Sequence, residues 1–334
     1  MSLTQKERLQ ACLANDPALD RPPVALWRHF PVDDQSPDTL AAAVVEFQQR
    51  YVFDMVKVTP ASSFCLKDWG VEDAWEGNSE GTRRYTRHVI HKPEDWEKFP
   101  ILDPRHANHL RDQLSCLRMI RSFLGPDVPI LQTIFNPLAQ AKNLAGSRLL
   151  LAHLRQYPEA VMKGLETIAE TTRRFIEEVK KAEIDGVFYA VQHAQAEVLT
   201  LDKYQTFCLP FDRKVLEPAK DLWCNLVHLH GSNIYFDLAD TFQEMFSSPM
   251  ILNWHDRETP PTLKLGRTLF SGIPCGGISQ ITLSMENHER VRHEAEEAIQ
   301  QTGGRRFILG TGCVVPIITP HGNIMAARKS VEGK

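Results

Sequence analysis

The chain has 334 residues, of which 43% are hydrophobic and 24% charged, as expected for a globular protein with a large core. Its formal net charge of -4 excludes a general attraction to nucleic acid or to an anionic membrane surface. Apolar runs are too short for a membrane span, and charged residues at 6–8 replace the apolar stretch of a signal peptide. Because the seven cysteines are scattered, we expect reduced thiols and a cytoplasmic protein.

The first 60 residues predict helices and strands in alternation. Thr4 and Glu7 match a capping box, a pattern in which side chains satisfy the free backbone amides of a first helical turn. Ser36 followed by Pro37 is typical of a second helix start. The predicted elements are a helix over 5–14, a strand over 24–30, a helix from 37 to about 51 and a strand over 53–60.

Residues 61–128 interrupt this alternation. They contain three tryptophans, a predicted hairpin around 77–81 and a predicted helix over about 107–124. An insertion of this length with structure of its own is more typical of a lid or a dimer surface than of a plain loop. We therefore predict one domain over residues 1–334, with 61–128 as an inserted lid or interface region.

Regular alternation resumes after residue 128. Strands are predicted over 129–135, 186–193, from 226, and over 250–255, 270–277 and 306–310, with helices between most of them. Eight strands separated mainly by helices indicate an α/β protein with a parallel sheet. Eight is also the number of strands that closes a (β/α)8 TIM barrel, our predicted fold, with the insertion after the second strand.

Polar residues at the carboxyl ends of the predicted strands also favour a barrel, because these ends meet in a single mouth. The alternative, a doubly wound sheet, lacks support since no glycine-rich phosphate loop follows an early strand. The polar strand-end residues include Arg28, Lys57, Asn136, His193, His228, His230, His255, Cys275 and Cys313.

His228 and His230 lie on one face of their strand, because alternate strand residues share a face. If the barrel closes, the last strand brings Cys313 to the same mouth. Two imidazoles and one thiolate suit Zn²⁺ and leave a fourth position open, as in catalytic zinc sites. The alternative is a hydrogen-bonded histidine pair and a packed cysteine without a metal. His255 and Cys275 are candidates for a further ligand.

The remaining strand-end residues are candidates for binding substrate or cofactor. Arg28 and Lys57 are suited to an anionic group of the substrate, and His255 to general-base catalysis. Asn136 and His193 are candidates for cofactor or ligand binding. A salt bridge for Arg28, a turn role for Asn136 and a surface ion pair within residues 253–257 stay open as alternatives.

Several of these segments resemble the uroporphyrinogen decarboxylase-like superfamily, nearly from end to end of the chain. They are ERL at 7–9, DRPPV at 20–24, FDMVKVTP at 53–60, HLHG at 228–231 and GRRFILGTGCVVP at 304–316. The resemblance implies a (β/α)8 barrel. It also implies one of two chemistries, because the superfamily contains both decarboxylases and methyltransferases.

True uroporphyrinogen decarboxylases carry an arginine-rich RQAGRY motif after the first strand and a catalytic aspartate after the second. Here these places read WRHFP at 27–31 and VTPA at 58–61, without the aspartate. The histidine of those enzymes near the last strand falls at about Thr311. Cofactor-free decarboxylation of a polycarboxylate tetrapyrrole needs cationic clamps and that acid, so the sequence departs from this branch.

The methylcobamide:thiol methyltransferases have an H-x-C pattern on the fifth strand and a cysteine after the eighth, and these residues bind zinc. His228 and Cys313 match that pattern, whereas His230 stands in place of the middle cysteine. In that branch the zinc activates a thiol for attack on a methyl group carried by a corrinoid. Exchange of one thiolate for an imidazole favours a different methyl acceptor, such as oxygen.

The resemblance therefore implies a zinc-dependent methyltransferase related to the corrinoid methyltransferases. It further implies a corrinoid as substrate or partner cofactor, a separate corrinoid protein as partner, and a homodimer. One alternative is a decarboxylase of uroporphyrinogen or a related carboxylate in tetrapyrrole metabolism. Another is a tetrapyrrole- or corrinoid-binding protein without catalytic activity.

Overall fold

The computed structural model describes residues 2–332, and its central element is a seven-stranded parallel sheet. The sheet strands are β1 (Val56–Val58), β4 (Ile130–Phe135), β5 (Gly186–Val191), β6 (Leu226–Leu229), β7 (Ile251–Trp254), β8 (Ile273–Ile278) and β9 (Ile308–Thr311). They lie side by side in that order. A separate antiparallel hairpin is formed by β2 (Glu72–Ala74) and β3 (Arg84–Arg87). The protein is thus an α/β protein.

Helices connect most neighbouring strands of the sheet, as parallel pairing requires. They are α1 (Gln5–Ala14), α2 (Pro37–Tyr51), α3 (Asn108–Leu124), α4 (Pro137–Ala145), α5 (Ser147–Gln156), α6 (Pro158–Lys180), α7 (Leu201–Phe207), α8 (Leu209–Leu216), α9 (Leu238–Gln243), α10 (Leu263–Leu269), α11 (Gln280–Met285), α12 (His288–Thr302) and α13 (His321–Lys329). None of the helices in residues 2–332 combines the length and apolar character that a bilayer crossing requires.

Both faces of the sheet are buried, which explains why its strands are almost continuously apolar. Alternate strand residues point to opposite faces, so the two faces belong to two hydrophobic clusters. The larger cluster packs the sheet against the helices. The smaller one lies on the other face and includes Trp27, Leu131, Phe188, Ile251 and Ile308. The smaller cluster lies in contact with the polar groups described below.

The strand predicted over 24–30 is wrong as a regular strand. Within it only Val24 forms a β-bridge, to Leu309 of β9. The extended segment still contacts both edges of the sheet, because Ala25 N donates to Leu309 O at 2.9 Å and Asp54 N donates to Val24 O at 2.9 Å. Pro22 and Pro23 cannot donate backbone hydrogen bonds, which limits the ladder.

The helix starts predicted near the amino terminus agree with the structure. The Thr4 hydroxyl accepts a hydrogen bond from Glu7 N, and the Glu7 carboxylate accepts one from Thr4 N. Ser36 caps α2 by accepting from Thr39 N. Sequence analysis missed three short helices, α4, α10 and α11.

Residues 61–128 contain the predicted hairpin, as β2 and β3, and the predicted helix, as α3. The turn between β2 and β3 approaches the carboxyl ends of the sheet strands. A Cβ atom on Gly81, which has φ of +79°, would lie 2.5 Å from the His29 Cβ. This glycine therefore permits a close approach that other residues would block. The role of the segment as a lid or dimer surface stays a prediction.

Candidate metal centre

Four side chains with metal-binding atoms converge at the carboxyl ends of the sheet strands. His228 and His230 come from β6 and its end, His255 follows β7 and Cys313 follows β9. Each side chain offers one nitrogen or sulfur atom, and all four atoms lie within 4.8 Å of one another. The structure thus brings together the three residues predicted as ligands and adds His255 to them.

The spacing of these atoms fits a single zinc ion. Zinc bonds of about 2.0–2.3 Å in a tetrahedron place neighbouring nitrogen and sulfur ligands roughly 3.3–3.6 Å apart. His228 Nε2 lies 3.2 Å from His230 Nδ1, and Cys313 Sγ lies 3.8 Å from the same Nδ1. The His255 ring centre is 5.7 Å from that of His228 and 5.3 Å from that of His230. Small adjustments would therefore suffice to enclose the ion.

An unpartnered polar atom supports a ligand at this place. Buried His255 Nε2 has no hydrogen-bond partner among residues 2–332. His228 turns its Nε2 to the cluster. Asn253, in register with His228 on the neighbouring strand, is a hydrogen-bonding neighbour of that imidazole. The Asn253 amide nitrogen donates to the Cys275 and Thr311 carbonyls, at 2.8 and 2.9 Å. An oxygen fixed beside a ligand imidazole is a common orienting device in metal sites.

Burial controls the protonation of the cluster. Desolvation lowers the pKa of His230 to about 4 and the pKa of His228 well below its ordinary value, assisted by the neighbouring imidazoles. These rings are therefore neutral near pH 7, the form that binds metals. Burial raises the pKa of the Cys313 thiol to about 11, although the Lys57 charge opposes the shift. A metal ion would reverse that effect by stabilising the thiolate.

A cavity of about 250 Å³ opens beside the cluster and is lined by His228, His230 and Cys313. Lys57 also lines this cavity. Its ammonium group lies 4.2 Å from the centre of the Phe188 ring and 5.8 Å from that of Trp27. Lys57 Nζ has no carboxylate or hydrogen-bond partner within residues 2–332, and burial lowers the pKa of Lys57 to about 8. An anionic substrate group would supply the missing partner.

Sequence analysis missed several polar residues around the cavity. Lys142 lies on α4, a helix that was not predicted, so its approach to the strand ends left no sequence signal. Glu80 and Tyr85 reach the cavity from the hairpin region. Tyr85 Oη lies 3.0 Å from Ser62 Oγ and accepts from Asn143 Nδ2 at 2.9 Å. Only their place in the predicted lid connected them with the site.

Three sequence candidates lie outside the cluster and its cavity. Arg28 donates to the His29 carbonyl at 3.3 Å, and its guanidinium lies 5.3 Å from the centre of the Phe30 ring. The Asn136 side-chain amide donates to the Gln192 carbonyl at 3.2 Å and accepts from Gln192 N at 3.1 Å. Cys275 is fully buried in the smaller apolar cluster. The Asn136 amide is thus already hydrogen-bonded, whereas the hydrogen bond of Arg28 uses only its Nε.

His193 lies close to the metal centre but is not part of the four-residue cluster. It lines a second cavity next to His230, together with Gln192. Its backbone has φ of +71°, an uncommon value for histidine, and its buried Nδ1 has no partner among residues 2–332. The predicted ligand-binding role of His193 therefore keeps a structural basis.

Comparison with known proteins places this chain in a family. The family model described as uroporphyrinogen decarboxylase (URO-D) matches residues 4–333. The chain belongs to the uroporphyrinogen decarboxylase family. This membership confirms the superfamily resemblance of the sequence. A search of curated proteins gives no match.

Solved structures with similar folds include methyltransferases. A methyltransferase from Methanosarcina mazei superposes with a TM-score of 0.83 at 20% identity, over 98% of this chain and 99% of the other. A B12-independent methionine synthase from Shewanella sp. W3-18-1, in complex with selenomethionine, gives a TM-score of 0.57 at 13% identity, over 92% and 91%. At these identities the likeness concerns the fold alone.

Proposed function

We propose that the chain is a zinc-dependent methyltransferase with His228, His230 and Cys313 as metal ligands and with His255 beside the open fourth position, where a substrate atom would bind. The observation that carries the proposal is the convergence of these three donor atoms and that of His255 within 4.8 Å of one another at the carboxyl ends of parallel strands. Barrel enzymes hold their chemistry at this end of the sheet. We count the extended segment at Val24 as the eighth strand of a (β/α)8 barrel, since it bonds to both sheet edges.

The residues around the cluster have distinct roles in this proposal. Bound zinc would act as a Lewis acid that lowers the pKa of a substrate thiol or polarises a substrate oxygen. Lys57 would hold an acid group of the substrate, because its buried charge has no partner within residues 2–332. Asn253 would orient His228 from below. The apolar walls formed by Trp27 and Phe188 would keep water from the reacting atoms.

For the methyl group we propose a corrinoid carrier that approaches the strand ends. Support comes from the family membership, from the methyltransferase of similar fold and from the match of His228 and Cys313 to the zinc pattern of the corrinoid branch. His230 is the departure from that pattern, and it makes the ligand set poorer in thiolate. We therefore propose an acceptor or donor atom that can be oxygen as well as sulfur.

Decarboxylation is the second candidate, favoured by the family match and by the unpaired cation at Lys57. The cavity of about 250 Å³ falls below the roughly 300–1,000 Å³ of drug-sized ligand sites. A polycarboxylate tetrapyrrole is larger than such ligands and needs more cations than the cavity offers. A decarboxylase of this kind would also have no use for the cluster of three imidazoles and a thiol.

Metal content separates the two candidates. We expect near one zinc per chain by inductively coupled plasma mass spectrometry after growth with zinc, and loss of it in His230→Ala and Cys313→Ser. His193→Asn is the matched control, because His193 lies beside the cluster without joining it and asparagine tolerates positive φ. Zinc-free wild-type protein, or equal zinc in His230→Ala, would refute the ligand assignment.

An activity assay tests the reaction class. With methylcobalamin and a small thiol or phenol, we expect demethylation that changes the visible spectrum of the corrinoid. His230→Ala should lower the rate by at least about 100-fold, since the Lewis acid is lost. Product formation from uroporphyrinogen, unaffected by removal of zinc, would support the decarboxylase candidate instead.

A further inference from the structure

Two lysines line the cavity beside the metal centre, and both lack a partner. Lys57 lies on β1 and Lys142 on α4, so the two side chains enter the cavity from different elements. Neither Nζ atom has a carboxylate or hydrogen-bond partner within residues 2–332, and burial lowers the pKa of both side chains. The proposed function gives Lys57 an acid group of the substrate but leaves Lys142 without a role.

The two ammonium groups flank His230. Besides burial, the charges of both lysines lower the pKa of His230, so both lie near this imidazole. Lys57 Nζ lies 4.2 Å from the centre of the Phe188 ring. Lys142 instead lines the second cavity as well, and after burial its charge is the main cause that lowers the pKa of His193. Lys57 and Lys142 therefore approach His230 from different directions.

The distance between the two ammonium groups excludes a single shared carboxylate. Two lysines that bind the same carboxylate lie a few ångströms apart and repel each other strongly when they are buried. Burial alone lowers the pKa of Lys142, and the charge of Lys142 has no part in the lowered pKa of Lys57. Each lysine therefore needs an acid group of its own.

The other charged side chains of the cavity do not neutralise these lysines. Arg83 is already bound to Asp34 at 2.7 Å. Glu80 lies near His255, because burial lowers the pKa of His255 and the Glu80 charge opposes that shift. The same charge has no effect on the pKa of either lysine. Two positive charges thus face one cavity, and buried charges are normally paired.

We propose that the cavity binds a small molecule with two acid groups, one at Lys57 and one at Lys142, and with a thiol or hydroxyl group between them. Because His230 lies between the two lysines, the middle of such a molecule reaches the metal ligands. The volume of about 250 Å³ limits the molecule to less than drug size. The thiol or hydroxyl rests on the proposed function, in which zinc binds that atom, whereas the two acid groups rest on the lysines alone.

Succinate and butanoate test the two acid groups without any turnover. Both have a four-carbon chain, and they differ only in the second carboxylate. Isothermal titration calorimetry with the full-length protein gives their affinities. Lys142→Met removes one of the two cations. Lys203→Met is the matched control, because Lys203 is an exposed lysine of α7 that lines neither cavity.

We expect the wild type to bind succinate at least about tenfold more tightly than butanoate, because the second carboxylate adds a charge-assisted contact. The preference should fall below about twofold in Lys142→Met and in Lys57→Met, and stay unchanged in Lys203→Met. Equal affinities of the two probes for the wild type, or an unchanged preference in Lys142→Met, would overturn the proposal.

Mercaptosuccinate, which has a thiol between its carboxylates, tests the position of the reacting atom. Zinc-loaded wild type should bind it at least about tenfold more tightly than succinate, and removal of zinc should abolish this gain. Zinc content is measured again after the titration. Equal affinities of mercaptosuccinate and succinate for zinc-loaded protein would overturn the placement of the thiol. Wild-type protein that binds no zinc would instead refute the proposed function, and the preference for succinate would still decide on the two acid groups.

Discussion

The two ends of the parallel sheet differ in how well their buried charged groups are hydrogen-bonded. At the amino end, fully buried Asp54 accepts hydrogen bonds from Arg8 at 2.7 Å, from Arg21 at 2.7 and 3.0 Å and from Val24 N at 2.8 Å. Nearby Asp185 accepts from Ile130 N and from the Trp223 indole, at 3.0 and 2.9 Å. Each of these carboxylates has several partners.

At the carboxyl end, buried polar groups lack partners. Lys57 faces aromatic rings, and the buried ring nitrogen His255 Nε2 has no hydrogen bond within residues 2–332. Unsatisfied buried groups lower stability, so their presence at one end of the sheet points to ligand binding there. The amino end thus holds the fold together, and in the proposed function the carboxyl end is the end that binds ligands.

The largest effect on stability is expected at the amino end. Asp54→Ala leaves two arginines, Arg8 and Arg21, without their shared carboxylate, and should reduce the free energy of unfolding by about 3–5 kcal/mol. Urea denaturation measures this loss. The zinc content of the folded variant should equal that of the wild type. Loss of zinc together with stability would contradict a division of roles between the two ends.

Asp212 tests whether burial alone, away from both ends, makes stability depend on pH. The Tyr189 and Tyr204 hydroxyls donate to its carboxyl group at 2.5 and 2.8 Å, yet desolvation raises the pKa of Asp212 to about 7. Between about pH 4 and 7 the folded state keeps a proton that the unfolded state releases, so stability falls as pH rises through this window.

The loss should reach up to about 4 kcal/mol at pH 8 relative to pH 4, and Asp212→Asn should not show this contribution. Urea denaturation of both proteins at several pH values measures the difference. Parallel stability curves for Asp212→Asn and the wild type would show that Asp212 does not titrate in this range.

A pair of buried asparagines compares the two ends directly. Asn253→Ala removes the amide beside His228 and should lower zinc affinity about 10- to 100-fold. Asn225→Ala is the matched control at the amino end, where the Asn225 amide binds the Ala219 and Leu222 carbonyls at 2.9 Å each. It should lower stability and leave zinc affinity unchanged. Competition with a chelator measures the zinc affinity of both variants. Equal losses of zinc affinity in Asn253→Ala and Asn225→Ala would contradict a difference in role between the two ends of the sheet.

The smallest expected effect is a gain in stability instead of a loss. Lys57→Met replaces an unpaired buried cation by an apolar side chain and should raise the free energy of unfolding by about 0.5–2 kcal/mol. Lys6→Met, which removes a lysine 3.4 Å from Asp185, should give no such gain. Thermal unfolding compares the two variants. A stability loss in Lys57→Met would mean that this lysine supports the fold.

The convergence of His228, His230 and Cys313 could be predicted because strand geometry carries that information, whereas metal binding by them stays a prediction. Alternation on β6 places His228 and His230 on one face, and parallel strands place Cys313 at the same end. The role of His255 was ambiguous, since the adjacent Asp256 and Arg257 suggested a surface ion pair. In the structure Asp256 is buried and accepts from Gly277 N at 3.2 Å, while Arg257 binds Glu297, so His255 is left free.

The parts that sequence analysis missed depend on tertiary contacts or weak local signals. Asn136-Pro137 has the pattern of a turn, whereas Pro137 begins α4 and brings Lys142 to the cavity. The segment at 24–30 is apolar like a strand, but prolines and contacts to two sheet edges make it irregular. Lys57, in contrast, was correctly predicted to point toward the strand-end cavity, because the alternation of side chains along a strand determines which face each one occupies.

The contacts between Ala25 and Leu309 also impose an order on biosynthesis. A nascent chain that has emerged to just beyond β7 carries three imidazoles of the cluster, but the thiol of Cys313 and the closing contact at Leu309 are still missing. In the proposed function, such an intermediate would bind metal through histidines alone and less selectively than the finished protein. On that proposal, zinc loading should follow release from the ribosome, when the last segment has joined the first.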